Sequence, residues 1–236
     1  MNMKKIVLPL FALVIIMSAC VKSPEPIRFS ILGDSYSAYE GFVYPDTNDV
    51  YHFDEIGVTG SEQMWWAQVA DSTGWILERN NSFSGSMISN FDIMDFYLPV
   101  SFIHRMNNLG HPDVIFILGG VNDVWYGASF GEYVYSDWTE EQLRSYRPAL
   151  AYLLDNLQHL HPKAKLYFLL ETNPCPGGID EETRMGYITS THRIANHYNV
   201  DCIDLLDIHK KLWHPDVQGQ KEIANQVLEY IATENF

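Results

Sequence analysis

Basic residues are few in this chain: 15 lysines and arginines stand against 30 aspartates and glutamates over 236 residues, a formal net charge of −15. A phosphate backbone would be repelled by that balance, which excludes nucleic-acid binding. The surplus of acid names no partner, because excess charge of one sign ordinarily keeps a surface solvated. Cysteine is nearly missing, with only Cys20, Cys175 and Cys202, too few for a disulfide framework. Export would permit one bridge between Cys175 and Cys202, while Cys202 lies in an apolar, strand-like stretch and reads as a small core residue. Long hydrophobic runs are missing apart from residues 6–17, and that run falls short of the ~20 apolar residues needed to cross a ~30 Å hydrocarbon core. Metal-ligand spacing is missing too. His159 with His161, and His192 with His197, lie on or beside predicted surface helices without cysteines or acids in register, so no metal is expected.

What stands at the start is a targeting pattern. Lys4 and Lys5 precede the apolar run, and Ser18-Ala19-Cys20 follows it. A positive region, a short hydrophobic region and a small-residue cleavage site describe a secretory signal peptide. Cleavage before a cysteine resembles the lipobox of bacterial lipoproteins, although Met17 is unusual three positions before it. The expected organisation is a signal peptide over 1–19, a lipidated Cys20 with a Pro-containing tether over 20–26, and one domain over 27–236. The expected location is outside the cytoplasm, periplasmic or at the cell surface, held to a membrane by the lipid anchor only. Removing residues 1–19 takes away two lysines and no acid, leaving the mature chain more negative still.

Beyond Pro26 neither repeats nor low-complexity linkers occur. Apolar runs at 27–32, 75–78, 114–118, 166–170 and 200–206 alternate with helical patterns. Continuous rather than alternating apolar runs suit strands buried on both faces of a parallel sheet. Helices are expected over 61–72, from 143 to 160, over 180–197 as a polar surface helix, and around Ile223, Val227 and Tyr230. Thr139-Glu140-Glu141-Gln142 is a capping box, and Pro148 should kink the helix behind it or begin its second part. The β-α alternation predicts a three-layer α/β sandwich. Residues 37–60 and 121–138 read as long loops, and ligands of such sheets bind at the carboxyl ends of the strands.

Three motifs fall at those ends. Gly33-Asp34-Ser35-Tyr36-Ser37 follows the first strand and sets a serine at a strand-to-helix turn, with free amides nearby. Gly119-Gly120-Val121-Asn122-Asp123 follows the third strand, where Asn122 offers a side-chain NH2; such a donor, aimed at a tetrahedral intermediate, is worth about 3 kcal/mol of barrier. His214-Pro215-Asp216-Val217-Gln218-Gly219 precedes the last helix, where a histidine can serve as general base toward a serine. Each alone is also ordinary turn chemistry.

Taken together, Gly-Asp-Ser-x-Ser, Gly-x-Asn-Asp and His-Pro-x-x-x-Gly, in that order from Gly33 to Gly219, resemble the SGNH/GDSL hydrolase family. Ser84-Gly85-Ser86 stands where the family carries a glycine after its second strand. The resemblance implies a flavodoxin-like α/β/α sandwich on a five-stranded parallel sheet, and ester hydrolysis without metal or organic cofactor. It implies Ser35 as nucleophile, His214 as general base, and an oxyanion hole of the Ser35 amide, the Gly85 amide and the Asn122 side chain. Asp34 and Asp123 would brace their loops by accepting backbone hydrogen bonds. The alternatives are a lipase or lysophospholipase-type acylhydrolase, and an inactive binding lipoprotein on the same scaffold. A flavodoxin-like electron carrier lacks support, since no phosphate-cradling loop follows the first strand.

One position departs from the family. An aspartate usually stands three residues before the histidine, and this chain has Lys211, which cannot accept a hydrogen bond from an imidazole N–H. A backbone carbonyl, another carboxylate (Asp204, Asp207 or Asp216), or a bare Ser–His dyad must serve instead. Trp125, Tyr126 and Trp213 adjoin the motifs and are expected to line the substrate, with Trp65 and Trp66 joining them if helix 61–72 faces the cleft. Flat aromatic faces suit a sugar ring, so the expected substrate is a short acyl ester, most of all an O-acetyl group on a small molecule or polysaccharide.

Overall fold

The computed structural model describes residues 25–51, 53–91, 100–174 and 177–234. Its middle layer is a sheet of β1 (Arg28–Gly33), β2 (Ile76–Ser82), β3 (Val114–Leu118), β4 (Lys165–Glu171) and β5 (Asp201–Leu205). Every pairing is parallel and the order is β2-β1-β3-β4-β5. All five residues of β3 are buried because both of its faces are covered. Val114, Phe116 and Leu118 enter one core, with α1 (Trp65–Thr73) and α6 (Val217–Ile231). Ile115 and Ile117 enter the other, with α2 (Phe102–Arg105), α4 (Tyr146–Leu160) and α5 (Glu181–His197). This is the three-layer α/β sandwich expected from the strand pattern.

Several boundaries differ from expectation for physical reasons. The second strand runs on through Arg79, Asn80, Asn81 and Ser82, which are polar yet lie in the sheet. The last three are buried because they satisfy one another and the neighbouring loops: Ser82 Oγ donates to Asn80 Oδ1, Asn80 Nδ2 to the Ser37 carbonyl, and Asn81 Nδ2 to the Arg105 carbonyl. Of the two expectations for Pro148 the second holds: it begins the second part of the helix rather than kinking it. The capping box closes on a 3-10 turn, Gln142–Arg144, and α4 starts afresh at Tyr146 with Pro148 in its first turn, where a missing N–H costs nothing. The 180–197 helix is capped by Asp180, and its inner side is buried through Tyr187, Ile194 and Ala195, so it is less a surface element than its polarity indicates. The stretch 121–138 opens with a short helix, α3 (Val121–Trp125), before becoming irregular. Cys202 is a free, partly buried thiol; Cys175 lies outside the described residues, as do the signal sequence and Cys20.

Strand order turns around between β1 and β3, since the chain passes from β1 outward to β2 and then back across to β3. The loops leaving those two strands therefore diverge and open a crevice at their carboxyl ends.

Candidate active site

The first wall of that crevice is the turn after β1. Asp34 Oδ1 accepts the Tyr36 amide at 2.9 Å, and the Asp34 carbonyl accepts the amides of Ser37 and Ala38. Ser35 stands at the corner. Burial pushes the Asp34 carboxyl up to about 7, against the opposing pull of the Tyr36 amide and the Arg105 guanidinium.

The second wall is the loop after β2 together with α3. Gly85 has φ of +76°, a left-handed backbone that a side chain resists. Asp123 accepts the amides of Ile88 and Ser89 at 2.8 and 3.0 Å, tying this loop to α3. Asn122 donates one hydrogen of its NH2 to the Ser86 carbonyl at 2.9 Å, which leaves the second hydrogen for the cleft it lines. Both walls meet at Arg105, a residue the sequence did not single out. Its buried guanidinium donates to the Gly33 carbonyl at 3.0 Å, to Ser86 Oγ at 2.9 Å and to the Asn81 carbonyl. One side chain thus spaces the serine turn from the Gly85 loop. An arginine in a four-residue helix carries no sequence signal of burial.

The third wall is a hairpin of β6 (Lys210–Lys211) and β7 (His214–Pro215), closed by Leu212 and Trp213. These two have φ of +50° and +70°. A two-residue hairpin favours positive φ at both central positions, for which Asn-Gly is the usual pair. Here Leu and Trp hold it, at a cost of about 1–3 kcal/mol each. The result is functional geometry: the Leu212 carbonyl turns back to His214 Nδ1 at 2.9 Å. A carbonyl only accepts, so Nδ1 carries the proton and Nε2 presents its lone pair to Ser35 Oγ, 3.0 Å away. Of the candidates for the missing aspartate, it is a backbone carbonyl that occupies the place. Asp204 pairs with His192 at 3.0 Å, Asp216 engages His209 at 2.8 Å while capping α6, and Asp207 is exposed. Burial lowers the His214 pKa, and the Leu212 carbonyl raises it in part.

The walls enclose a cavity of about 240 Å3 lined by Ser35, Gly85, Asn122, Trp125, Tyr126, Trp213 and His214. Residues far apart in sequence are thereby brought to one place. Trp65 and Trp66 are not there: both are buried in the core and donate to Ser37, Trp65 to its Oγ and Trp66 to its carbonyl. Tyr36, Tyr51 and Ser84 also line the cavity and had no motif to announce them. Ser84 Oγ is buried there without a hydrogen-bond partner among the described residues.

Elsewhere, His192, Cys202 and Asp204 bring three donor atoms within 4.8 Å of one another at the α5–β5 edge. Burial and the Asp204 charge hold the Cys202 thiol strongly protonated, and His192 is already paired with Asp204. The group therefore reads as a His192–Asp204 contact beside a partly buried thiol. His197 does not join it but stacks on Tyr135.

The sequence pattern of the GDSL-like Lipase/Acylhydrolase family matches residues 27–231. No curated protein matches the chain. A crystal structure assigned to a GDSL-like lipase from Bacteroides ovatus is similar at 41% identity and a TM-score of 0.81, over 89% of this chain and 100% of that one. Another, from Bacteroides uniformis, is similar at 38% identity and a TM-score of 0.82, over 89% and 98%. A family two carbohydrate esterase from Clostridium thermocellum, solved with cellohexaose, shares the fold at 18% identity and a TM-score of 0.54, over 89% of this chain and 66% of that one. A match running from the first strand to the last helix, joined by two relatives of such identity, means that the chain belongs to the GDSL-like lipase/acylhydrolase family.

Proposed function

We propose that this hydrolase is a serine esterase acting on short acyl esters, above all O-acetyl groups on carbohydrate. The observation that carries it is the 3.0 Å approach of His214 Nε2 to Ser35 Oγ inside a small, aromatic-rimmed cavity. Ser35 Oγ attacks the ester carbonyl carbon while its proton passes to His214 Nε2. The carbonyl oxygen becomes an oxyanion facing the Ser35 and Gly85 amides and the free Asn122 N–H. Collapse expels the alcohol, which takes the proton from His214, and leaves an acyl-serine. Water then repeats the cycle and releases the acid.

Substrate size follows from space and surface. The cavity of about 240 Å3 lies below the ~300–1,000 Å3 of pockets that hold drug-sized ligands, which favours an acetyl over a long chain. Trp125 and Trp213 pair at its mouth, ring centroids 5.2 Å apart, and both are nearly half exposed. An exposed pair of aromatic faces leaves an apolar platform suited to a sugar ring. The cellohexaose-bound carbohydrate esterase supports this at the level of fold alone.

The test compares acetyl with octanoyl p-nitrophenyl esters, then measures acetate released from acetylated oligosaccharides. Acetyl preference, sugar-bound acetate release and a loss of several orders of magnitude in Ser35→Ala and His214→Ala are expected. Preference for long chains without release of sugar-bound acetate would move the function to a lipase or lysophospholipase. A Ser35→Ala protein that keeps most of the rate would remove Ser35 as nucleophile.

A further inference from the structure

Resting on that proposed mechanism, we propose that Tyr51 is a positioning residue of the catalytic unit: its ring, stacked on His214, holds the imidazole in line with Ser35 and stabilises the imidazolium formed when the serine gives up its proton. The rings lie nearly parallel, 15° apart, with centroids separated by 3.6 Å. Phe53 meets Tyr51 edge-on at 5.1 Å and is itself buried, so the stacked ring is backed by the core. Tyr36 meets the edge of His214 at 5.7 Å, and its hydroxyl donates to the Trp213 carbonyl, fixing the hairpin tip. His214 thus sits in an aromatic box, with Leu212's carbonyl at Nδ1 and Ser35 at Nε2.

The need for such a contact comes from what the carbonyl lacks. In a full triad the carboxylate does two things: it fixes the tautomer and it supplies negative charge to the imidazolium. The Leu212 carbonyl does the first but has only a partial charge for the second. The other charges near His214 do not replace it. Lys211, opposite His214 in the hairpin register, is exposed and a cation, so it supplies no negative charge. Asp216 is committed to His209 and the amides of Gln218 and Gly219. Asp34 lies buried in the same cleft, but burial drives it toward its neutral form, and burial likewise holds the Tyr51 phenol protonated. A π face attracts a cation more than a neutral ring, most strongly where water is excluded. The contact therefore strengthens as the proton moves to His214, which is the condition for raising kcat rather than only tightening binding.

The test uses the full chain with Tyr51→Leu and Tyr51→Phe, assayed on p-nitrophenyl acetate across pH. Tyr51→Leu should lower kcat by about threefold to thirtyfold, the span from an exposed to a desolvated cation–π contact, with KM changed little. Its acidic limb should move to lower pH, because an unsupported imidazolium loses its proton sooner. Tyr51→Phe keeps the ring and should recover most of kcat. The His214 titration is followed in parallel by NMR in a Ser35→Ala background, where no turnover is needed. A His214 pKa lower in Tyr51→Leu than in Tyr51→Phe supports the role even if the chain proves to have no esterase activity, in which case only the functional proposal fails. Equal His214 titration in the two variants, or a Tyr51→Leu effect confined to KM, would overturn it. Should Tyr51→Leu fail to fold, Tyr51→Trp takes its place: a stronger π face should shift the His214 pKa upward, and no shift or a downward one counts against the proposal.

Discussion

Asp34 shows how tightly a single residue of this site is constrained. It must accept the Tyr36 amide to shape the serine turn, yet it is buried near Asp123 and opposite Arg105. Its carboxyl is protonated below about 7 in the folded chain, against an ordinary value of 3.8. The folded state then binds this proton more tightly than the unfolded state, so the stability it brings is complete below about 3.8 and is lost as pH rises through about 7. Asn at this position keeps an acceptor for Tyr36 but cannot titrate. The melting temperature of the native protein, measured relative to Asp34→Asn, should accordingly climb as pH falls from about 8 to about 5; a flat difference would show that Asp34 stays charged. Residues of this kind also mark what was legible beforehand. Ser35, Gly85, Asn122 and His214 carry their chemistry in side chains or in motif glycines beside strand ends. The acceptor on His214 Nδ1 is a main-chain group, which no residue type encodes, and its signal lay only in the missing aspartate. Tyr51 stands in an irregular loop, sixteen positions beyond the serine, and reaches His214 only through the tertiary fold.

At the scale of elements, the β6–β7 hairpin is the part on which the proposed mechanism turns. It holds two consecutive left-handed residues and would relax if it were not anchored. The anchor is Lys210, whose Nζ lies 2.5 Å from Glu171 Oε2 at the end of β4, with both side chains almost wholly buried. The same ammonium donates to the Asn173 carbonyl at 3.1 Å. Removing one partner of a buried pair leaves an uncompensated charge and costs about 3–5 kcal/mol. Glu171→Ala should therefore lose stability of that order in chemical denaturation, and its hydrolysis rate should fall further than that of an equally destabilised core variant. Lys211 points outward and is exposed. Lys211→Ala should leave the rate within about tenfold, whereas loss of a true orienting group can cost ~10⁴. Gly219 belongs to the same assembly: a Cβ there would lie 2.0 Å from the His209 carbonyl, so only glycine lets the first turn of α6 pack under the hairpin. The strands β3 and β4 were readable because double-sided burial demands continuous apolar runs. The polar end of β2 was not, because its asparagines and serine are buried by mutual hydrogen bonding, and α2 is too short to show a period.

The whole molecule poses a question of where such an enzyme would work. Among the described residues no helix is long and apolar enough to cross a membrane. The net charge of −15 would be repelled by an anionic lipid surface, and loss of residues 1–19 would deepen it. The net charge thus disfavours electrostatic attachment, and the question becomes whether attachment is covalent. We propose that it is, through Cys20: the pattern of Lys4-Lys5, an apolar run and Ser18-Ala19-Cys20 directs export and lipidation, and the tether up to Pro26 spaces the fold from the bilayer. More than one acyl chain on that cysteine is needed for stable anchoring, since each buried CH2 contributes only about 0.8 kcal/mol and a single chain binds reversibly. The cleft would then meet polymeric esters outside the cytoplasm, where acetylated polysaccharides are encountered. Fractionation of cells expressing the full chain should place it with membranes, and mass spectrometry should find a lipid-modified Cys20 at the mature N-terminus. Cys20→Ser should move the protein to the soluble fraction or leave it unprocessed. Native protein that is wholly soluble and carries no lipid would end the anchoring proposal while leaving the proposed esterase chemistry of Ser35 and His214 untouched.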